Sequence, residues 1–262
     1  MSINTAIKPA KESKYEIYKY LANMFDYPQN DSYKNSIISV YNLLKTDMPE
    51  AAASMNVFID FVNEASLSEM QELYLRSFDV QAITTLDIGF VLFGEDYKRG
   101  QLLVNLNREH RDANNTCNTE LADSLPNVLN LISRMTNIEM RDEIASKLVI
   151  PAVVKMSSEF SSDKIEKKDE IYKKHLKTII DFSQKYRTIY KTLLDTLLIV
   201  LKRDFNYDIN ILNYFKEEKC HDESKESCSC DTTPNTDALD AINNNYFKDF
   251  SEQIEIEMII EK

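Results

Sequence analysis

The chain has 262 residues, of which 43% are apolar, and carries a net charge of −12, enough apolar material for one large core or two small ones. Its three glycines and six prolines, against an average glycine usage of about 7%, leave few of the positive-φ turns that hairpins and tight βα loops need, which argues against β-rich folds. The acidic balance repels phosphate backbones and argues against nucleic acid as a partner.

Helix follows helix from the start. Lys14 to Phe25 places Ile17, Tyr18, Leu21 and Phe25 on one stripe, and the Tyr27-Pro28 pair stops it. A second helix is predicted from Asp31 through Leu44. Pro49 opens a third, and Ser66 ends it and restarts the chain with a capping box, Ser66-x-x-Glu69. The fourth helix runs Leu67 to Phe78, with Met70, Leu73, Tyr74 and Phe78 toward the core.

All three glycines fall in GFVLFGEDYKRG, Gly89 to Gly100. The stretch is no phosphate loop, because no Lys-Ser/Thr follows Gly94 and the acidic pair Glu95-Asp96 would repel the anion. It reads instead as a short apolar helix, Asp87 to Phe93, ended by Gly94 in a left-handed cap, with Asp96 capping the next helix. Gly89 and Gly100 then serve close approach between helices. The helix that follows, about Tyr97 to Arg111, has Leu102, Leu103, Leu106 and His110 on one side and ends at Asn114-Asn115.

Asp123 or Ser124 caps the next helix, with Pro126 in its first turn and Val128, Leu129 and Ile132 as its stripe. A longer helix after Asn137 carries Ile144, Leu148, Pro151 and Val154, and Pro151 should kink it. The last two body helices show the clearest period, through Ile171, His175, Leu176, Ile179 and Phe182, and through Tyr190, Leu193, Leu194, Leu197, Leu198 and Leu201. The apolar run Thr192 to Leu201 contains Asp195 and is too short to span a bilayer. With no apolar h-region near Met1, a cytoplasmic protein is expected.

Residues 220–262 carry eleven Asp/Glu against three Lys, net −8, leaving −4 for the rest. Three segments are expected: an all-helical body at 1–216, a polar Cys-containing linker at 217–236, and an acidic tail at 237–262. In that tail Leu239, Ile242, Tyr246 and Phe250 mark a short amphipathic helix, and Ile254 to Met258 alternates like an edge strand. Cys220, His221, Cys228 and Cys230 are suitable ligands for a soft metal, but the Cys-His pair lacks the usual spacer and free reduced thiols are the simpler reading. His175 on an apolar face and His110 at a helix end, a plain dipole partner, come with no nucleophile signature. No enzymatic reading stands out.

The run LSEMQELYLRSFDV, then LDIGFVLFGEDYKRGQLLVNLNREHRDA, then ELADSLPNVLNLI, closely resembles the nitrate reductase delta-subunit family, the NarJ branch of the TorD-like assembly chaperones for molybdenum enzymes. Phe78-Asp79 matches the family's aromatic-Asp helix end. Leu92-Phe93-Gly94-Glu95 with Arg99-Gly100 matches its LFG-(D/E)-x-x-x-RG element. Of its Leu-Pro-Asp-His-Leu-Pro-like hinge, Leu121, Asp123, Leu125 and Pro126 are present, while Ala122 and Ser124 stand where proline and histidine are usual. The LVIPAVVKM segment around Pro151 extends the resemblance over roughly Lys14 to Asp204.

The resemblance implies a single all-α multi-helix bundle of the TorD/NarJ type with an acidic C-terminal extension, acting by recognition without catalysis. Such a chaperone binds the N-terminal segment of a molybdenum oxidoreductase's cofactor-free catalytic subunit and supports insertion of the bis-guanine-dinucleotide molybdenum cofactor, which it does not itself retain. By family position the peptide groove is expected at Phe90, Phe93 and Tyr97, with Asp123, Leu125 and Leu129 opposite. Acidic side chains near the rim would pair basic residues at the peptide's start. The competing class is a metal-handling or regulatory protein that uses the Cys/His tail.

Overall fold

The computed structural model describes residues 14–117, 119–176 and 186–205, the side chains of 172–176 excepted. Helices dominate these residues: α1 (Ile17–Ala22), α2 (Ser32–Asp47), α3 (Pro49–Glu64), α4 (Leu67–Phe78), α5 (Ile88–Phe93), α6 (Tyr97–Asp112), α7 (Leu125–Arg134), α8 (Ile138–Glu143), α9 (Ile150–Glu159), α10 (Ser162–Leu176) and α11 (Tyr190–Phe205). No strand occurs among them beyond an isolated antiparallel bridge between Asp87 and Ser124. The molecule is an all-helical bundle, as the composition predicts. The chain divides between Asn206 and Tyr207. The second unit lies outside the described residues, and with it the expected linker, the Cys220, His221, Cys228 and Cys230 group, the Leu239–Phe250 helix and the alternating segment.

The core is built around α11, whose Leu193, Leu194, Leu197 and Leu201 are wholly buried between α3 and α9. Each such leucine contributes about 1.5–3 kcal/mol of transfer free energy. At the head of α11, Tyr190 meets Phe78 at 4.8 Å and Phe58 at 5.2 Å between ring centroids, both edge-on, the geometry the ring quadrupoles favour. Its buried hydroxyl lies 3.4 Å from that of Tyr33, which donates to the Met24 carbonyl at 3.0 Å. A tyrosine this deep needs such a partner, and α2 with the turn before it supplies one.

Local signals set most helix ends. The Ser66 box is complete, with the Glu69 amide donating to Ser66 Oγ at 3.3 Å and the Ser66 amide to Glu69 Oε2 at 2.7 Å. Asp96 accepts from the Lys98 amide and caps α6. Pro126 occupies the first turn of α7, and Ser124 holds its N-cap position. Near Pro151 the expected kink takes a particular form. Residues Ile144–Val149 widen into a π turn, so that the Ile150 amide bonds to Ala145, and the missing proline N–H is absorbed within a widened turn.

Two expectations are corrected here. Ile171 lies on the predicted stripe of α10 yet is 56% exposed. The buried residues of α10 are Ile165 and Asp169, fixed by the ion pair of Asp169 with Arg187 and by Lys168, which bonds to the Ile83 carbonyl. The side chains of His175 and Leu176, and the residues Ile179 and Phe182, lie outside the described part of the chain. Gly100 serves no close approach, since a Cβ added there meets nothing within 4 Å.

Candidate functional site

The glycine segment forms the corner where α5, α6 and the strand-like pair of segments 86–88 and 123–125 meet. The pairing rests on Ile88 N–H to Asp123 O at 2.9 Å and Leu125 N–H to Leu86 O at 2.9 Å. Asp123 is wholly buried. Its Oδ2 accepts from the Gly89 amide at 3.2 Å and from Arg99 Nε at 3.0 Å, and Arg99 Nη2 reaches Asp87 Oδ2 at 2.8 Å. One guanidinium thus clamps the entry to α5 and the entry to α7 through two carboxylates, the fork geometry that lysine cannot reproduce. Burial opposes the Arg99 charge, but Asp123 and then Asp87 hold its pKa above the usual value. Asp87 is shifted upward by burial and by Asp123, with Arg99 pulling the other way.

Gly89 makes this corner possible. A Cβ at that position would lie 2.6 Å from Asp123 Oδ2 and 3.1 Å from Arg99 Cγ, so the close approach expected of it is present. Gly94 ends α5 at φ +64°, ψ −140°, a positive-φ conformation outside the left-handed helical well and open essentially to glycine alone.

The residues expected to line a groove separate into two sets. Phe90 is 41% exposed and Tyr97 79% exposed, Phe93 is half-buried, and the Arg99 guanidinium lies over the Phe90 ring at 5.4 Å. These three form an aromatic surface on α5 and the start of α6. Asp123, Leu125 and Leu129 are wholly buried and do not face that surface across an open groove. The reason is the clamp, which turns Asp123 inward and draws the start of α7 into the core. Phe78 and Pro126 are also buried, Asp79 is exposed, and Gly94 and Arg99 sit at the corner as helix stop and clamp.

The open concavity lies on the other side of the corner. A cleft of about 720 Å³ runs between the turn after α1, the start of α2, the end of α4, and the segments leading into α5 and α7. Phe25, Tyr27, Tyr33, Tyr74 and Phe78 supply rings to it, and Asp26, Asp79, Asp87 and Glu120 supply carboxylates; among the described residues no Lys, Arg or His lines it. The charge is felt at Tyr74, whose hydroxyl pKa is raised first by burial, then by Tyr190, and then by Glu120, Asp26 and Asp79.

In the sequence reading Phe25, Tyr27, Tyr74 and Phe78 are core or helix-end positions and Asp79 and Asp87 mark helix ends; none is assigned to a cleft, and Asp26, Tyr33 and Glu120 are absent from it. A signal for them exists in Phe25-Asp26 and Phe78-Asp79, where the aromatic residue closes a helix into the core and the aspartate after it emerges toward the cleft. Such an arrangement suits an apolar segment that carries positive charge. Among the described residues no cluster of His, Cys, Asp or Glu could hold a metal ion, and no helix is long and apolar enough to cross a membrane. No family model matches the chain, and no curated protein matches it.

Proposed function

We propose that this chain is a cytoplasmic, non-enzymatic chaperone for a molybdenum oxidoreductase of the nitrate reductase type, of the TorD/NarJ kind its motifs resemble. It binds the N-terminal segment of the cofactor-free catalytic subunit in the acidic aromatic cleft. By occupying that segment it keeps the subunit open for insertion of the bis-guanine-dinucleotide molybdenum cofactor and for complex assembly. The cofactor belongs to the client and stays with it.

The observation that carries this reading is the cleft lining, the accessible rings of Tyr27 and Tyr74 beside four carboxylates, with no basic side chain among the described residues. An amphipathic peptide buries its apolar face on the rings and places basic residues of its first turn against Asp26, Asp79 and Glu120. Phe90, Phe93 and Tyr97 lie outside the cleft, on the helix pair that begins at Asp87.

Titration with a peptide from the N-terminus of a co-encoded molybdenum-enzyme subunit tests this by calorimetry. Micromolar binding is expected, weakened about tenfold by the pair Asp26→Asn and Glu120→Gln, the loss of roughly 1.4 kcal/mol. No binding at millimolar peptide, or full affinity in that pair, overturns the reading. A folded Phe90→Asp variant reports separately on the outer aromatic surface.

A further inference from the structure

The connector between α6 and α7 has no regular structure in its described residues, 113–117 and 119–124, yet side chains from the two flanking helices hold its backbone. The Glu120 carbonyl accepts from Asn127 Nδ2 at 3.4 Å, the Leu121 carbonyl from the same atom at 2.9 Å, and the Ala122 carbonyl from His110 Nε2 at 3.0 Å. Three consecutive carbonyls therefore bond to buried side chains, where a surface loop ordinarily turns such groups to water.

The holders are themselves joined. Asn115 Nδ2 donates to His110 Nδ1 at 2.9 Å and to the Asn127 carbonyl at 3.2 Å, and His110 and Asn115 are 2% and 9% exposed. Because Nε2 faces a carbonyl it carries the proton, so Nδ1 is the acceptor and a single neutral tautomer satisfies both contacts. Turning the Asn115 amide over loses the bond to Asn127. The relay thus has one arrangement, and of the three residues it holds, Glu120 lines the cleft beside Asn127.

We propose that His110, Asn115 and Asn127 are positioning residues which hold Glu120 against the cleft, and that the chaperone's preference for a basic peptide depends on this relay. The inference rests on the reading of the cleft as a peptide site. His110 and Asn115 do not line the cleft, so any effect of replacing them reaches the peptide through the connector.

The test uses the full chain with His110→Phe and Asn115→Ala, and His110→Gln as the variant that keeps a donor toward Ala122. The first readout is hydrogen exchange at the Asn115 and Ser124 amides, which bond to His110 O at 2.8 Å and Leu121 O at 3.1 Å. At least tenfold faster exchange at both is expected in His110→Phe, with α9 and α11 amides unchanged and His110→Gln intermediate.

The second readout is the ratio of affinities for a basic client peptide and for the same peptide with its Lys and Arg replaced by Gln. The ratio is expected to fall at least threefold, through weaker binding of the basic peptide alone, a loss a merely structural role would not produce. Unchanged exchange overturns the relay. Faster exchange with an unchanged ratio, or equal loss for both peptides, overturns its role in recognition. If the wild-type chain binds neither peptide the functional reading fails, while the exchange result still decides whether the relay holds the connector.

Discussion

Each of the three glycines meets a different physical demand, so alanine at each position has a different expected cost. At Gly89 the added Cβ falls 2.6 Å from Asp123 Oδ2, which drives apart the carboxylate and the Arg99 guanidinium; overpacking of this kind costs about 1–3 kcal/mol. At Gly94 no atom obstructs, but φ is +64°, and an L side chain there costs about 1–3 kcal/mol in backbone strain. At Gly100, inside α6 with nothing near, alanine should stabilise by roughly 0.5–1 kcal/mol. Thermal unfolding of the three variants is expected to show two lowered midpoints and one raised. His110 supplies a second test at this scale. Its pKa is lowered, chiefly by burial, with the bond to Ala122 acting against the shift. The unfolded chain therefore takes up the proton first as pH falls, so this residue's stability contribution is complete above an unfolded pKa of about 6.5 and declines as pH drops toward the lower folded value. Denaturant midpoints measured downward from pH 7 should decline, with a shallower slope in His110→Gln.

Capping chemistry at the helix ends was legible in the sequence because it is local. The Ser66 box, the Asp96 cap and Pro126 in a first turn all involve residues within three positions of each other. Ser66→Ala should accordingly lower stability by about 1 kcal/mol, measured as the shift in denaturant midpoint, because the Glu69 amide loses its acceptor and the Glu69 carboxylate loses the Ser66 hydroxyl. What the sequence did not display are elements held by distant partners. Arg99 and Asp123 are 24 positions apart, and His110 bonds to a carbonyl 12 positions on; no periodicity marks either pair. Periodicity also assigns a face without assigning depth. Val128, Leu129 and Ile132 share the apolar stripe that the sequence assigns to α7, and all three are buried, but only the Arg99 clamp decides that Asp123 and Leu125 at its start go into the core with them. The same limit applies to α10, where Ile165 and Asp169 face inward and Ile171 does not.

At the scale of the whole molecule the relevant quantity is the field around the cleft. Four carboxylates and, among the described residues, no basic side chain line the concavity, so a cationic peptide is attracted before it makes contact. Mobile ions limit the range of that attraction, which spans about 30 Å at 0.01 M salt and about 8 Å at 0.15 M. Raising salt between these limits should weaken binding of the basic client peptide roughly tenfold, mostly through a slower association rate. The Gln-substituted peptide should respond little, because its affinity comes from apolar area on Tyr27 and Tyr74 that ions do not screen. Stopped-flow association rates for the two peptides across this range separate the contributions. Equal salt slopes would place the recognition in the aromatic rings alone, whereas a steep slope that Asp26→Asn with Glu120→Gln removes would place it in the carboxylates of the cleft.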